Sequence, residues 1–203
     1  MIKKCLFSLL LITIMVCEVY GQQQEEFRFV APKDWRSERI DFPLGFAPKI
    51  NYEGFEELRF APGMFDPKSD GYFTYTFFWW IKKQNITPQQ LEKDLVDYFQ
   101  GLTSAVGKSK GQDYDLSKVT AKVTPLTENK TKLPYKTKNY QAVVETYDAF
   151  ASKNLLTLNM EITIFNCETA KRTVSFFCVS PKSKNEAIWK QMQEIRDSFN
   201  CNK

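Results

Sequence analysis

Leu156-Thr157-Leu158-Asn159-Met160-Glu161-Ile162-Thr163-Ile164 alternates apolar and polar residues without a break. Successive side chains of a strand point to opposite faces, so this period of two describes an antiparallel strand with one buried face and one wetter face. After a polar turn around Glu168 to Lys171, Val174, Phe176 and Cys178 alternate with Thr173 and Ser175. The two runs are therefore expected to close a hairpin. Weaker strand patterns lie at Trp35 to Phe42, Phe55 to Phe60, Tyr72 to Lys82, Leu116 to Thr124 and Tyr140 to Phe150.

Two segments change to a helical period. In Thr87-Pro88-Gln89-Gln90, Thr87 can cap, Pro88 suits the first helical position and Gln90 completes a capping box. Leu91, Leu95, Tyr98, Phe99 and Leu102 then form one apolar stripe, with Gly107 as the expected stop. Ser183-Lys184-Asn185-Glu186 is a second capping box, followed by Ile188, Met192, Ile195 and Phe199 at intervals of one turn. The other positions of this helix are nearly all polar, so it should rest on a sheet by a single face. Strands, helix, strands, helix is the order of an α+β fold. We expect an antiparallel sheet of six to seven strands carrying two main helices, with Leu156 to Ile164 and Ile188 to Phe199 sharing one interior.

The early Pro32-Lys33-Asp34-Trp35, the strand meander, the helix at Leu91 to Leu102, the final hairpin and the terminal Ile195-Arg196-Asp197-Ser198-Phe199 together resemble the PsbP-like fold of photosystem II extrinsic subunits and their exported bacterial relatives. The resemblance implies an antiparallel sheet covered by helices and an accessory, non-enzymatic role. It transfers no catalytic residues. Phe60-Ala61-Pro62-Gly63-Met64-Phe65-Asp66-Pro67 belongs to no pattern of that fold.

At the start of the chain, Lys3 and Lys4 precede an apolar run from Cys5 to Cys17 that ends near the small-residue site Val19-Tyr20-Gly21. This reads as a secretory signal peptide over residues 1–21. The run of about 13 residues is shorter than the roughly 18 to 20 that span a bilayer, and no stop-transfer cluster follows. No small residue precedes Cys17, which argues against lipidation. Residues 22–27 read as a disordered polar leader and 28–203 as a single α+β domain, since no Pro/Gly/Ser-rich linker divides it. Localisation is expected to be secreted or periplasmic, with no transmembrane segment in the mature chain. A net charge of +4 with acids and bases interspersed does not describe a nucleic-acid surface.

Histidine is absent from the chain. Ser-His-Asp and Cys-His hydrolases and His-ligated metal sites are thereby excluded, and no Ser-x-x-Lys spacing supplies a lysine base. Gly107-Lys108-Ser109 lacks the earlier glycine of a phosphate loop, since position 102 is Leu102. Asp66 to Gly71 departs from a calcium loop at Lys68 and at Phe77, and reads as a turn. No cofactor and no metal are expected. A carboxylate-based hydrolase would need two acids about 5 to 9.5 Å apart, with Asp66, Asp70, Glu56 and Glu57 as candidates. Asn129-Lys130-Thr131 is a glycosylation acceptor if the source is eukaryotic.

Past the signal peptide, Cys167, Cys178 and Cys201 remain. The strand from Arg172 to Ser180 runs about 27 Å, and a helix from Ser183 to Phe199 returns about 25 Å. Cys201 then arrives level with the hairpin turn that holds Cys167, which predicts a Cys167–Cys201 disulfide and a buried Cys178.

Tyr72 to Trp80 is the densest aromatic stretch. Its rows are expected as core, or as an exposed platform for a glycan or lipid formed by Tyr75, Trp79 and Trp80 with Trp35 nearby. Three functions compete on these grounds. They are an exported non-catalytic accessory or interaction domain with an unknown protein partner, a glycan- or lipid-binding module, and a carboxylate-based hydrolase.

Overall fold

The computed structural model describes residues 27–128 and 131–201. The signal peptide, leader residues 22–26 and the Asn129 acceptor lie outside the described residues, whereas Phe27, expected in the leader, is described and buried with Trp80 and Phe199, so the domain begins by residue 27. In chain order the elements are β1 (Arg36–Asp41), β2 (Gly54–Phe60), β3 (Tyr75–Lys82), α1 (Pro88–Ser109), β4 (Thr120–Leu126), β5 (Lys138–Tyr147), β6 (Leu155–Cys167), β7 (Arg172–Ser180) and α2 (Ala187–Asp197). A 3₁₀ turn at Leu116–Lys118 precedes β4. The strands form one seven-stranded sheet in the order β1-β2-β3-β7-β6-β5-β4, antiparallel at every step. The fold is α+β.

The two helices cover opposite faces of this sheet, so the expected common interior is replaced by two. Leu158, Met160, Ile162 and Ile164 of β6 pack in a layer with Leu91, Leu95, Tyr98 and Phe99 of α1. Trp189, Met192 and Ile195 of α2, with Phe199 beyond it, pack in the other layer against Phe78, Trp80, Val174, Phe176 and Cys178. The reason is legible in β3 and β7. Phe77 and Trp79 face α1 while Phe78 and Trp80 face α2, and Phe177 and Phe176 divide the same way. Central strands apolar on both faces need cover on both sides. At the polar row of β6, Glu161 accepts from Gln193 Nε2 at 3.1 Å and pairs with Arg196 of α2 at 3.5 Å.

Local chemistry moves several boundaries from those expected. Thr87 Oγ1 accepts from Gln90 N at 3.2 Å, as the capping box requires. The helix passes Gly107 and ends at Ser109, with Gly111 taking the left-handed conformation after it (φ 64°). α2 starts at Ala187, because Ser183 to Glu186 forms a turn in which Ser183 N donates to Glu186 Oε1. The hydroxyl half of that capping box is not made, since Ser183 Oγ bonds Asn185 instead. The stretch before β4 is held in its 3₁₀ turn by Asp115 Oδ1, which accepts from Ser117 N. Cys167 and Cys201 form a disulfide with Cα atoms 5.4 Å apart, fastening the end of the chain to the β6–β7 turn. Cys178 is a buried free thiol whose pKa is pushed up by burial.

Candidate functional site

On the α1 side of the sheet, the β1–β3 half is not fully filled. A pocket of about 190 Å³ opens between these strands, the last turns of α1 and three loops. Its floor is Ile40 of β1, Leu58 and Phe60 of β2 and Tyr75 of β3. Tyr98, Leu102 and Val106, spaced along one side of α1, form the opposite wall. The loop between β1 and β2 contributes Phe46. It reaches the site because α1 carries Gly101 where the chain crosses: a Cβ there would stand 2.0 Å from Phe46 O.

The remaining wall comes from Met64, Phe65 and Phe73, with Phe150 from the β5–β6 loop beside them. Met64 and Phe65 lie in the Phe60 to Pro67 segment that the PsbP-like pattern does not account for. This segment is a tight turn anchored by Phe73 N donating to Met64 O at 2.9 Å. Gly63 sits at φ 77°, where a Cβ would also collide with Ser69. Phe73 is left-handed at φ 45°, an unfavourable conformation for a bulky residue, yet it is almost fully buried. Backbone strain of this kind persists where surrounding contacts impose it, and it is common beside functional sites.

Polar groups in the pocket are few. At the rim the Arg36 guanidinium lies over the Phe60 ring at 4.5 Å and within 3.8 Å of Glu38, so the rim charges balance. Deeper, Tyr98 Oη donates to Glu56 Oε1 at 3.0 Å, and Trp79 Nε1 donates to Glu56 Oε2 at 2.8 Å. Glu56 and Trp79 face each other across the β2–β3 ladder. Glu56 is fully buried, and loss of solvation raises its pKa from 4.5 to about 8, outweighing the two donors that favour its charged form. The carboxyl is therefore largely protonated at neutral pH. Tyr75, also buried, has a hydroxyl with no hydrogen-bond partner among the described residues. Burial, followed by the charge of Glu56, holds that phenol well above its ordinary pKa.

Of the residues singled out as an aromatic platform, Tyr75 lines this pocket and the tryptophans do not. Trp79 is packed beneath it on the α1 side, whereas Trp35 and Trp80 belong to the α2 layer. All three indoles are 5% exposed or less, so the four residues form no continuous exposed surface. Trp189, in the α2 layer, was not among the expected stripe residues although it is the largest side chain that α2 buries.

The candidate acids are kept apart by strand alternation. Glu56 faces α1, while Glu57, the next residue, pairs with Arg39 at 2.5 Å and Arg59 at 2.6 Å. Asp66 lies in the exposed loop, where its Oδ1 accepts from Lys68 N at 2.9 Å. Asp70 is exposed in the same turn. Among the described residues, no group of three or more Cys, Asp or Glu side chains is placed to hold a metal ion. No helix among them is long and apolar enough to cross a membrane.

Compared with known proteins, the chain matches no family model and no curated protein. Among solved structures it is similar to LpqN of Mycobacterium tuberculosis, described as involved in cell envelope biogenesis. Identity is 10% and the TM-score 0.33, over 85% of this chain and 81% of that chain. A likeness of this strength carries no argument about activity.

Proposed function

We propose that the protein is an exported, non-catalytic accessory module that holds a small apolar ligand between α1 and the β1–β3 half of the sheet. The observation that carries this reading is the 190 Å³ pocket, walled by aliphatic and aromatic side chains around one buried unpaired hydroxyl. A void of that size, if closed and empty, would cost on the order of 4 kcal/mol, and an occupant offsets that cost. The volume falls below the range of about 300 to 1,000 Å³ typical of drug-sized ligands. It slightly exceeds an apolar cavity of about 150 Å³ that admits benzene. The ligand is therefore a small molecule, or the terminus of a larger one.

The lining favours an apolar body over a glycan, because a sugar ring needs several convergent polar partners and the pocket interior supplies few. Chemistry is disfavoured by the same geometry. The second acid near Glu56 is Glu38, which sits at the rim beside Arg36, and both Glu56 oxygens are committed to Trp79 and Tyr98. Export rests on the Lys3-Lys4 and Cys5 to Cys17 pattern, and the Cys167–Cys201 bridge supports it, since such bonds persist in oxidising compartments. The accessory role implied by the PsbP-like resemblance belongs to the same proposal.

Calorimetric titration with toluene tests the pocket. Wild type should bind one equivalent saturably, and Leu102→Trp, whose indole fills the space, should bind far more weakly. No binding by wild type, or equal binding by the variant, contradicts the reading.

A further inference from the structure

We infer that the ligand is an uncharged molecule whose apolar body carries one hydroxyl or carbonyl group, and that this group is held by the Tyr75 hydroxyl. The inference rests on the proposed pocket and specifies what fills it. Tyr75 Oη is a buried donor and acceptor with no partner among the described residues. Such groups are rare because leaving one unmade forfeits the hydrogen bond while the desolvation cost remains. Here the residue stands on a wall of an otherwise apolar pocket, so an occupant with one matching polar atom satisfies it and a pure hydrocarbon does not.

Charge is selected against on two grounds. The walls contributed by Leu58, Met64, Phe73 and Leu102 offer an ion nothing in place of water. An anion would also find no counter-charge in the interior, since the buried Glu56 carboxyl is protonated and committed to Trp79 and Tyr98, while Glu38 lines the β1 wall. Arg36 does not reverse this preference, because it is exposed at the rim and close to Glu38. The size limit then sets the body at about the bulk of a substituted benzene ring or a short alkyl terminus.

The test compares three probes of one shape, p-cresol, toluene and p-toluate, binding to the intact protein and to Tyr75→Phe at mildly acidic pH. Since cresol and toluene differ in hydration, the informative quantity is the ratio of their affinities in each protein. That ratio is expected to fall roughly three- to tenfold on Tyr75→Phe, the worth of one hydrogen bond. Toluene should bind the variant at least as well as wild type, which also shows that the variant is folded. p-Toluate should bind neither protein. An unchanged cresol-to-toluene ratio overturns the role of Tyr75 while the pocket reading stands. p-Toluate binding as tightly as cresol overturns the selection against charge. If no probe binds either protein, the pocket reading falls and this inference with it.

Discussion

Replacing Glu56 by Gln isolates the electrostatic cost of burying a carboxyl against Trp79 and Tyr98. The folded protein holds the Glu56 proton up to about pH 8, whereas an ordinary carboxyl in the unfolded chain releases it near 4.5. Below the lower value both states are protonated, and burial carries no charge penalty. As pH rises the unfolded chain ionises alone, so stability falls by about 1.4 kcal/mol per pH unit and levels off once the folded pKa is passed. At pH 7 the accumulated loss is on the order of 3 kcal/mol. Glutamine keeps the shape and can still bond Trp79 and Tyr98 but does not titrate, so the variant should match wild type near pH 4.5 and outlast it increasingly up to pH 8. The absence of histidine clears this window of its usual titrating group. Asp94, raised chiefly by burial, is common to both proteins. Urea denaturation at a series of pH values, with unchanged m-values, is the assay. A stability difference that stays flat from pH 5 to 8 would refute the reasoning.

Four further outcomes follow from individual contacts and burial. Cys201→Ser should lower stability by about 3 to 4 kcal/mol, the worth of a bridge closing a loop of this length. Thiol titration of the denatured, unreduced mature protein should count one reactive group, Cys178, and a count of three would remove the bridge. Asp148 accepts from the backbone N–H of Phe150, Ala151 and Ser152 and from Tyr72 Oη, and these donors outweigh burial and lower its pKa. Its contribution is present above the unfolded pKa and lost as pH falls through the folded one. Asp148→Asn should therefore cost about 2 to 3 kcal/mol near neutrality and progressively less under acid, and an undiminished cost in acid would contradict this. The four tryptophans are all 5% exposed or less, so acrylamide should quench native fluorescence weakly; strong quenching would return the platform reading.

The sheet and its helices were legible because their patterns are periodic and uninterrupted. β6 reads as a strand from Leu156 to Ile164 on alternation alone, and α1 announces its start through Thr87 and Pro88. The disulfide was legible because strand and helix rises fix where Cys201 lands. The sidedness of the helices was present as well, in the unbroken apolar run of β3, but it was set against the stronger single-face signal of α2. The pocket was much less visible. Its walls come from five separate segments, and Phe46, Met64 and Phe150 sit in loops with no period. One available signal was the segment from Phe60 to Pro67, apolar, rich in turn residues and without a place in the expected pattern. Tyr75 was singled out, though as part of an exposed row with Trp79. Burial of both inverts the chemistry, since a shielded phenol can serve one enclosed atom and cannot stack on a sugar.

The most direct test of the pocket is a titration of methyl-labelled protein with p-cresol, followed by NMR. The Met64, Leu58, Leu102 and Val106 methyls line the site, Met160 lies in the same layer outside the lining, and Met192 lies across the sheet. The account predicts saturable shifts confined to the first group, with a common affinity, and quiet signals from Met160 and Met192. Shifts that fail to saturate, or that reach Met192 as strongly as Met64, would contradict it.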